Sequence, residues 1–197
     1  GVPVLEFGPR AQSHKALLRF RSDAVSRVTG IPFRRVKVRK GIWSGGKFRD
    51  PDIRLANLYS QKCLGNLAGG DRSLWNLEAA DRYIAPEDFY DQLVDQLGDR
   101  IRWETRADFT TKEPMISTAP MPVVLAAVGE DYGIEHFPKA AVEVARYRIK
   151  DCDLFQTVYF PDHDTTMYRA SITGDVLIVE FAGREEPVFG LLEEAFG

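Results

Sequence analysis

The chain has 197 residues, 44% of them hydrophobic and 28% charged, and a net charge of −3 at pH 7. That is long enough for one sizeable domain or two small ones with a real core, and too apolar for a disordered chain. The charge gives no global pull toward nucleic acid or an anionic membrane. No apolar run approaches the roughly 18 residues of a membrane span, and no signal-peptide pattern opens the chain. Cys63 and Cys152 are far apart and lack metal-ligand spacing, so the expected compartment is reducing and cytoplasmic, with buried thiols.

Taken in order, Val2 to Phe7 is apolar and β-branched and stops at Gly8-Pro9, which predicts a short strand and a turn. Glu6 stands out there, a carboxylate where a buried strand stays apolar. Lys15 to Arg21 reads as strand or loop. Ser22 then caps a short helix through Val28, with Gly30 as its stop. In Phe33 to Trp43, Val36 and Val38 alternate with Arg35, Lys37 and Arg39, the period of a strand with one basic, solvated face. Gly45-Gly46 makes a turn. Ile53 to Leu64 has strand character, so Phe33 to Leu64 is expected to form a long-looped hairpin pair. Gly65 to Asp71, with three glycines, is loop.

Arg82 to Ala85 is extended and meets Pro86, which suits the first position of a helix, with Glu87 and Asp88 favourable against its dipole. The helix carries Phe89, Leu93, Val94 and Leu97 on one stripe and ends at Gly98. Ile101 to Trp103 follows as a short strand, which makes a βαβ-like passage. It leads to Glu113–Gly129, where Met115 to Thr118 reads as a buried strand. Ala119-Pro120-Met121-Pro122 breaks it, and Val123 to Val128 forms a helix stopped by Gly129. Beyond that the chain is β-rich. Strands are expected over Ala141–Ile149, Leu154–Phe160, Met167–Thr173 and Val176–Phe181, the last two joined by a Gly174-Asp175 hairpin turn. A helix begins in Pro187–Phe196.

The usual catalytic signatures are absent: no G-x-S-x-G elbow, no P-loop, no H-E-x-x-H and no cysteine cluster. Asp162-His163-Asp164 reads as a solvated polar turn, and no metal is expected. The informative pattern is distributed. Val4-Leu5-Glu6 followed by Arg10 resembles the end of the second strand of a dinucleotide-binding fold. With the Pro86 helix, the Ile101 strand and Ile116-Ser117-Thr118-Ala119-Pro120, it resembles FAD-dependent oxidoreductases of the amine oxidase type, the group of protoporphyrinogen oxidase and UDP-galactopyranose mutase. His14–Asn66 and Asp153–Glu180 also resemble small FAD-dependent proteins of phage and bacterial genomes, with YRASITGD (Tyr168–Asp175) and STAPMP (Ser117–Pro122) as the telling strings.

The resemblance implies an α/β fold with α+β character. Residues 1–30 and 82–129 would form a partial Rossmann-like FAD-binding layer, and residues 31–81 and 130–197 an antiparallel substrate-type sheet with helices. It implies FAD as cofactor, with Glu6 on the adenosine ribose, Arg10 at the same end and Ala107 against adenine through its backbone. Thr118, Ala119 and Pro120 would approach the cofactor. On the substrate side it points to Arg54, Tyr59, Tyr168 and Arg169, with Trp43 and Tyr159 in the same layer, around an unspecified small molecule. An arginine inside an apolar strand needs a partner, and for Arg169 a structural salt bridge is the first expectation. The glycine-rich turn of such enzymes would precede Val2, and their flavin-contacting C-terminal segment is not matched. The expectation is therefore a fragment or a natural remnant that holds FAD weakly. Two other readings remain: a non-catalytic, flavoenzyme-derived protein with a macromolecular partner that has lost FAD binding, and a nucleic-acid binder using Arg34–Lys40.

Overall fold

The computed structural model describes residues 4–5, 18–65, 74, 76–105, 108–109, 114–130, 142–184 and 187–197. The chain divides into two compact units, residues 1–11 with 91–139 and residues 12–90 with 140–197.

The larger unit is built on an eight-stranded mixed sheet. Its strands are β2 (Arg19–Phe20), β3 (Arg34–Ser44), β4 (Lys47–Arg49), β5 (Ala80–Ile84), β7 (Val142–Arg148), β8 (Leu154–Tyr159), β9 (Met167–Gly174) and β10 (Val176–Ala182). The order is β2-β5-β3-β8-β9-β10-β7, with β4 paired to β3. The sheet is not purely antiparallel as expected, because β3 runs parallel to β8, with Arg39 opposite Gln156 and Ile42 opposite Tyr159. Parallel neighbours need a long crossover, and here all the chain between residues 44 and 154 supplies it. Gly174-Asp175 forms the expected two-residue turn between β9 and β10, with Thr173 opposite Val176 and Gly174 at φ +67°.

One face of this sheet is apolar. Val158, Ala170, Ile172, Leu177, Val179 and Phe181 are buried there against Val188, Leu192 and Ala195, which lead into and lie on helix α5 (Phe189–Phe196). Burying each large apolar side chain contributes about 1.5–3 kcal/mol, so this layer is what holds β7–β10 together. Helix α2 (Ile53–Leu64) carries a second cluster, in which Leu55, Tyr59 and Cys63 pack on Ile42, Leu74 and Tyr168.

Helix α2 (Ile53–Leu64) corrects the strand and hairpin pair expected there. Asp52 caps it, accepting from the Leu55 N–H at 2.7 Å, and Gly65 closes it in the left-handed region. The buried residues Leu55, Tyr59 and Cys63 recur at i, i+4 and i+8, a helical period hidden among β-formers. β3 turns instead at Gly45-Gly46 into β4. Within β3, Gly41 leaves room for the Phe48 ring; a Cβ there would sit 2.7 Å from it.

At helix α1 (Ala24–Thr29) the N-cap position falls on Asp23, whose side chain makes no capping hydrogen bond, while the Ser22 hydroxyl accepts from the Ala24 N–H at 3.5 Å; Gly30 ends the helix as expected. Helix α3 (Phe89–Leu97) begins three residues after Pro86, with Phe89 buried against Phe20 and Phe33. A 3-10 turn (Gly98–Arg100) follows it.

In the smaller unit, β1 (Val4–Leu5) pairs in parallel with β6 (Ile101–Arg102). β5 belongs to the other sheet, so β5, α3 and β6 do not form the expected βαβ unit. The segment 114–120 is exposed and has no strand partner among the described residues. Ile116 is 97% exposed, so the buried strand expected over Met115–Thr118 is not formed. Two prolines and a short apolar run cannot hold a strand without a neighbouring edge to pair with. Helix α4 (Met121–Ala127) follows, two residues earlier than expected, with Pro122 in its first turn. Among the described residues no helix is long and apolar enough to cross a membrane.

Candidate functional site

The face of the large sheet opposite α5 is polar at its centre. Cross-strand register puts Thr157 opposite Ser171, Tyr159 opposite Arg169, and Arg169 opposite Glu180. A bulge decides what reaches Glu180. β10 pairs Glu180 with Arg169 and Phe181 with Met167, so Tyr168 is the extra residue on β9. Tyr168 and Arg169 can then turn toward the same carboxylate. The Tyr168 hydroxyl donates to Glu180 Oε1 at 3.3 Å, Arg169 Nη2 donates to Oε1 at 2.5 Å, and Arg169 Nε donates to Oε2.

Three tyrosines back this pair. Tyr59 from α2 meets Tyr159 edge to face at 5.4 Å and Tyr168 at 6.2 Å between ring centroids. Burial raises the Tyr59 hydroxyl above its ordinary range, helped by Cys63 one turn on, which shares a hydrogen bond with it. Burial and the Glu180 charge push Tyr168 up to about 12. For Arg169, burial pulls down, but the hydrogen bonds and charge of Glu180 outweigh it and hold the guanidinium above its ordinary value.

Beside this group, Arg19 lies over a row of buried hydroxyls. Its Nη1 and Nη2 donate to Thr173 Oγ1 and Thr157 Oγ1, each at 3.5 Å, and Thr157 and Ser171 share a hydrogen bond of 3.0 Å. Lys40 is the cross-strand neighbour of Thr157, and its Nζ donates to the Asn76 carbonyl at 3.2 Å. Arg82 donates to the Asp81 carbonyl at 2.7 Å. Burial lowers the Arg19 guanidinium, and the neighbouring Arg169 and Arg82 lower it further. Burial, then Arg82 and Arg21, do the same to Lys40.

The frame of the site is tied at one end by Lys62 of α2. Its ammonium donates to the carbonyls of Phe160 (2.9 Å), Asp162 (2.5 Å) and Met167 (2.5 Å), which fixes the helix to the β8–β9 connection. The Asp162 carboxylate accepts from Ser44 Oγ and the Gly45 N–H, and His163 Nε2 contacts the Leu58 carbonyl. These turn residues bind the fold rather than simply facing solvent.

Of the residues singled out in the sequence, the structure brings Tyr59, Tyr159, Tyr168 and Arg169 together, and the expected salt bridge of Arg169 is formed. Tyr59 comes from a helix, not from a strand of the sheet. Arg54 does not join them; it lies exposed on α2. Trp43 packs edge to face on Phe48 at 5.0 Å. Thr118, Ala119 and Pro120 are exposed, and the Ala119 N–H donates to Ser117 Oγ. Glu6, Arg10 and Ala107 lie outside the described residues. The sequence reading missed Arg19, Glu180 and the hydroxyl row. Glu180 did leave a signal: the Gly174-Asp175 turn places it as far after the turn as Arg169 lies before it, one carboxylate in an apolar strand facing one arginine in another.

No protein-family model matches the sequence, and no curated protein is significantly similar to it. The chemistry of this face rests on its side chains. They present fixed guanidinium and hydroxyl donors on a sheet face backed by aromatic rings, which suits binding and orienting a polar small molecule.

Proposed function

We propose that the protein is a flavin-dependent oxidoreductase, or a redox-neutral flavoenzyme, of the amine oxidase type, acting on a small molecule. The observation that carries this reading is the parallel pairing of β1 with β6, Val4 beside Ile101 and Leu5 beside Arg102. Strands so distant in sequence, side by side and parallel, suit an α/β nucleotide-binding layer, in which ligands lie beyond the carboxyl ends of the strands. Glu6 follows β1 directly in sequence, at that carboxyl end. The strand layout therefore fits a dinucleotide. Glu6 and Arg10 would take the ribose end, Ala107 the adenine, and Thr118 to Pro120 would lie near the cofactor. A bound flavin would supply electron-accepting chemistry. On the substrate side, Tyr59, Tyr168 and Arg169 would orient the ligand, with Glu180 holding the guanidinium still.

The test is an absorbance scan of the purified protein before and after FAD is added. The reading expects flavin bands that shift on binding and a weaker shift in Glu6→Ala. An unchanged flavin spectrum, both for the chain alone and for the chain joined upstream to a strand and glycine-rich dinucleotide turn, would sink it. The second reading, a flavoenzyme-derived protein that binds a macromolecule, is favoured by the exposed basic row Arg35, Lys37 and Arg39. It expects binding that weakens steeply with salt and ignores FAD.

A further inference from the structure

We infer that the polar face of the large sheet binds an oxyanion, a carboxylate or phosphate carried by a small molecule, between Arg19, Lys40 and Arg82. That this anion belongs to the substrate rests on the flavoenzyme reading; the site itself does not. The argument is one of charge. Arg19, Lys40, Arg82 and Arg169 lie on this face, with Arg21 also acting on Lys40, against two carboxylates: Glu180, and Glu78 near Lys40, which among the described residues forms no ion pair with any of them. Both oxygens of Glu180 are taken, one by Arg169 and Tyr168 and the other by Arg169. Among the described residues Arg19, Lys40 and Arg82 form no ion pair. Their hydrogen bonds go only to neutral oxygens. The nearby Asp81 carboxylate is turned to Arg35 instead, at 2.5 Å.

A half-buried guanidinium facing Arg169 and Arg82, with the Glu180 carboxylate nearby but already shared by Arg169 and Tyr168, is costly in desolvation and in repulsion. Arg19 nevertheless is held in place. Thr157 and Thr173 engage two of its five N–H donors, which sets the plane of the group and leaves the others for a ligand. The floor beneath it is closed, since Thr157, Ser171 and Thr173 are buried. An oxyanion of a small molecule cancels the excess charge and fits that geometry. A polymer would find its charges more readily on the exposed row of Arg35, Lys37 and Arg39.

The experiment is a two-dimensional NMR titration of the protein with inorganic phosphate and, separately, sodium acetate, at constant ionic strength set with chloride. The expected result is saturable shifts of the Lys40, Thr157 and Thr173 amides with at least one anion. Loss of a charge-assisted contact should weaken binding about tenfold in Arg19→Gln and several-fold in Lys40→Gln, and Lys37→Gln should leave it unchanged. Response to phosphate alone assigns a phosphate-bearing ligand, and response to acetate assigns a carboxylate. No saturable shift beyond the chloride control overturns the proposal. Undiminished binding in Lys40→Gln and Arg82→Gln also overturns it, and this arm holds even if Arg19→Gln fails to fold. The flavin scan on the same samples separates the two readings: anion binding without flavin binding keeps the site and removes its assignment to a flavoenzyme substrate.

Discussion

Replacing Glu180 by Gln should destabilise the large unit more than replacing Arg169 by Met, although the two residues form one pair. Breaking a fully buried pair by removing one partner costs about 3–5 kcal/mol, because the other charge is left uncompensated. Here the side chains are 32% exposed for Arg169 and 16% for Glu180, so water relieves part of that cost. About 2–3 kcal/mol is expected for Glu180→Gln, since Arg169 then faces Arg19 with no carboxylate between them. Arg169→Met leaves Glu180 with the Tyr168 hydroxyl and within the field of Arg19, and removes one of the repelling cations. About 1 kcal/mol is expected for that change. The double variant Arg169→Met/Glu180→Leu should be no less stable than the Glu180 variant alone, because an apolar pair leaves no charge unsatisfied. Urea unfolding followed by circular dichroism and tryptophan fluorescence, with linear extrapolation, measures each value. A Glu180→Gln cost below about 0.5 kcal/mol, or an Arg169→Met cost larger than that of Glu180→Gln, would refute the charge balance drawn for this face.

Asp52→Ala removes the cap of α2 and should cost about 1 kcal/mol in the same unfolding assay; no loss would mean the Leu55 N–H finds another acceptor. Leu55, 1% exposed under that helix, should cost about 2–4 kcal/mol when cut to Ala, whereas a surface-like value below 1 would contradict its burial. The Asp81 carboxyl lies below its ordinary value of 3.8 because Arg35 hydrogen-bonds it. Its folded pKa is depressed, so the stabilisation is present above about pH 4 and fades as pH falls through the lower folded value. NMR titration should show Asp81 returning to the ordinary range in Arg35→Gln, and an unmoved value would remove the pair from the account. Tyr168, pushed up to about 12 by burial and Glu180, acts in the opposite direction. Its contribution is intact below about pH 10 and is lost as pH rises toward 12. Ultraviolet titration should find that late ionisation missing in Tyr168→Phe.

Much of the large unit was legible in local pattern. The alternation in Arg34–Ser44, the Gly174-Asp175 turn and the apolar runs of β8 and β10 each fix a strand without help from elsewhere, because a period of two and a turn residue are local properties. Gly30 ended its helix for the same reason. Ile53–Leu64 was misread because Ile, Tyr and Cys favour strands taken singly, and the cap at Asp52 and the spacing of the buried residues outweigh that. Met115–Thr118 has strand composition but no neighbouring edge, and a strand does not exist alone. The site divides along the same line. Tyr168, Arg169 and their need for a partner could be read from the sequence, and so, with the hairpin register, could Glu180. Arg19 could not. It reaches Thr173 across 154 positions of chain, and Tyr59 joins Tyr159 only because a helix crosses the sheet there. Sequence by itself determined which residues wanted burial, a turn or a counter-charge. Only the tertiary structure decided which distant residues met those wants, because the parallel pairing of β3 with β8 is non-local and leaves no mark in any short window of sequence.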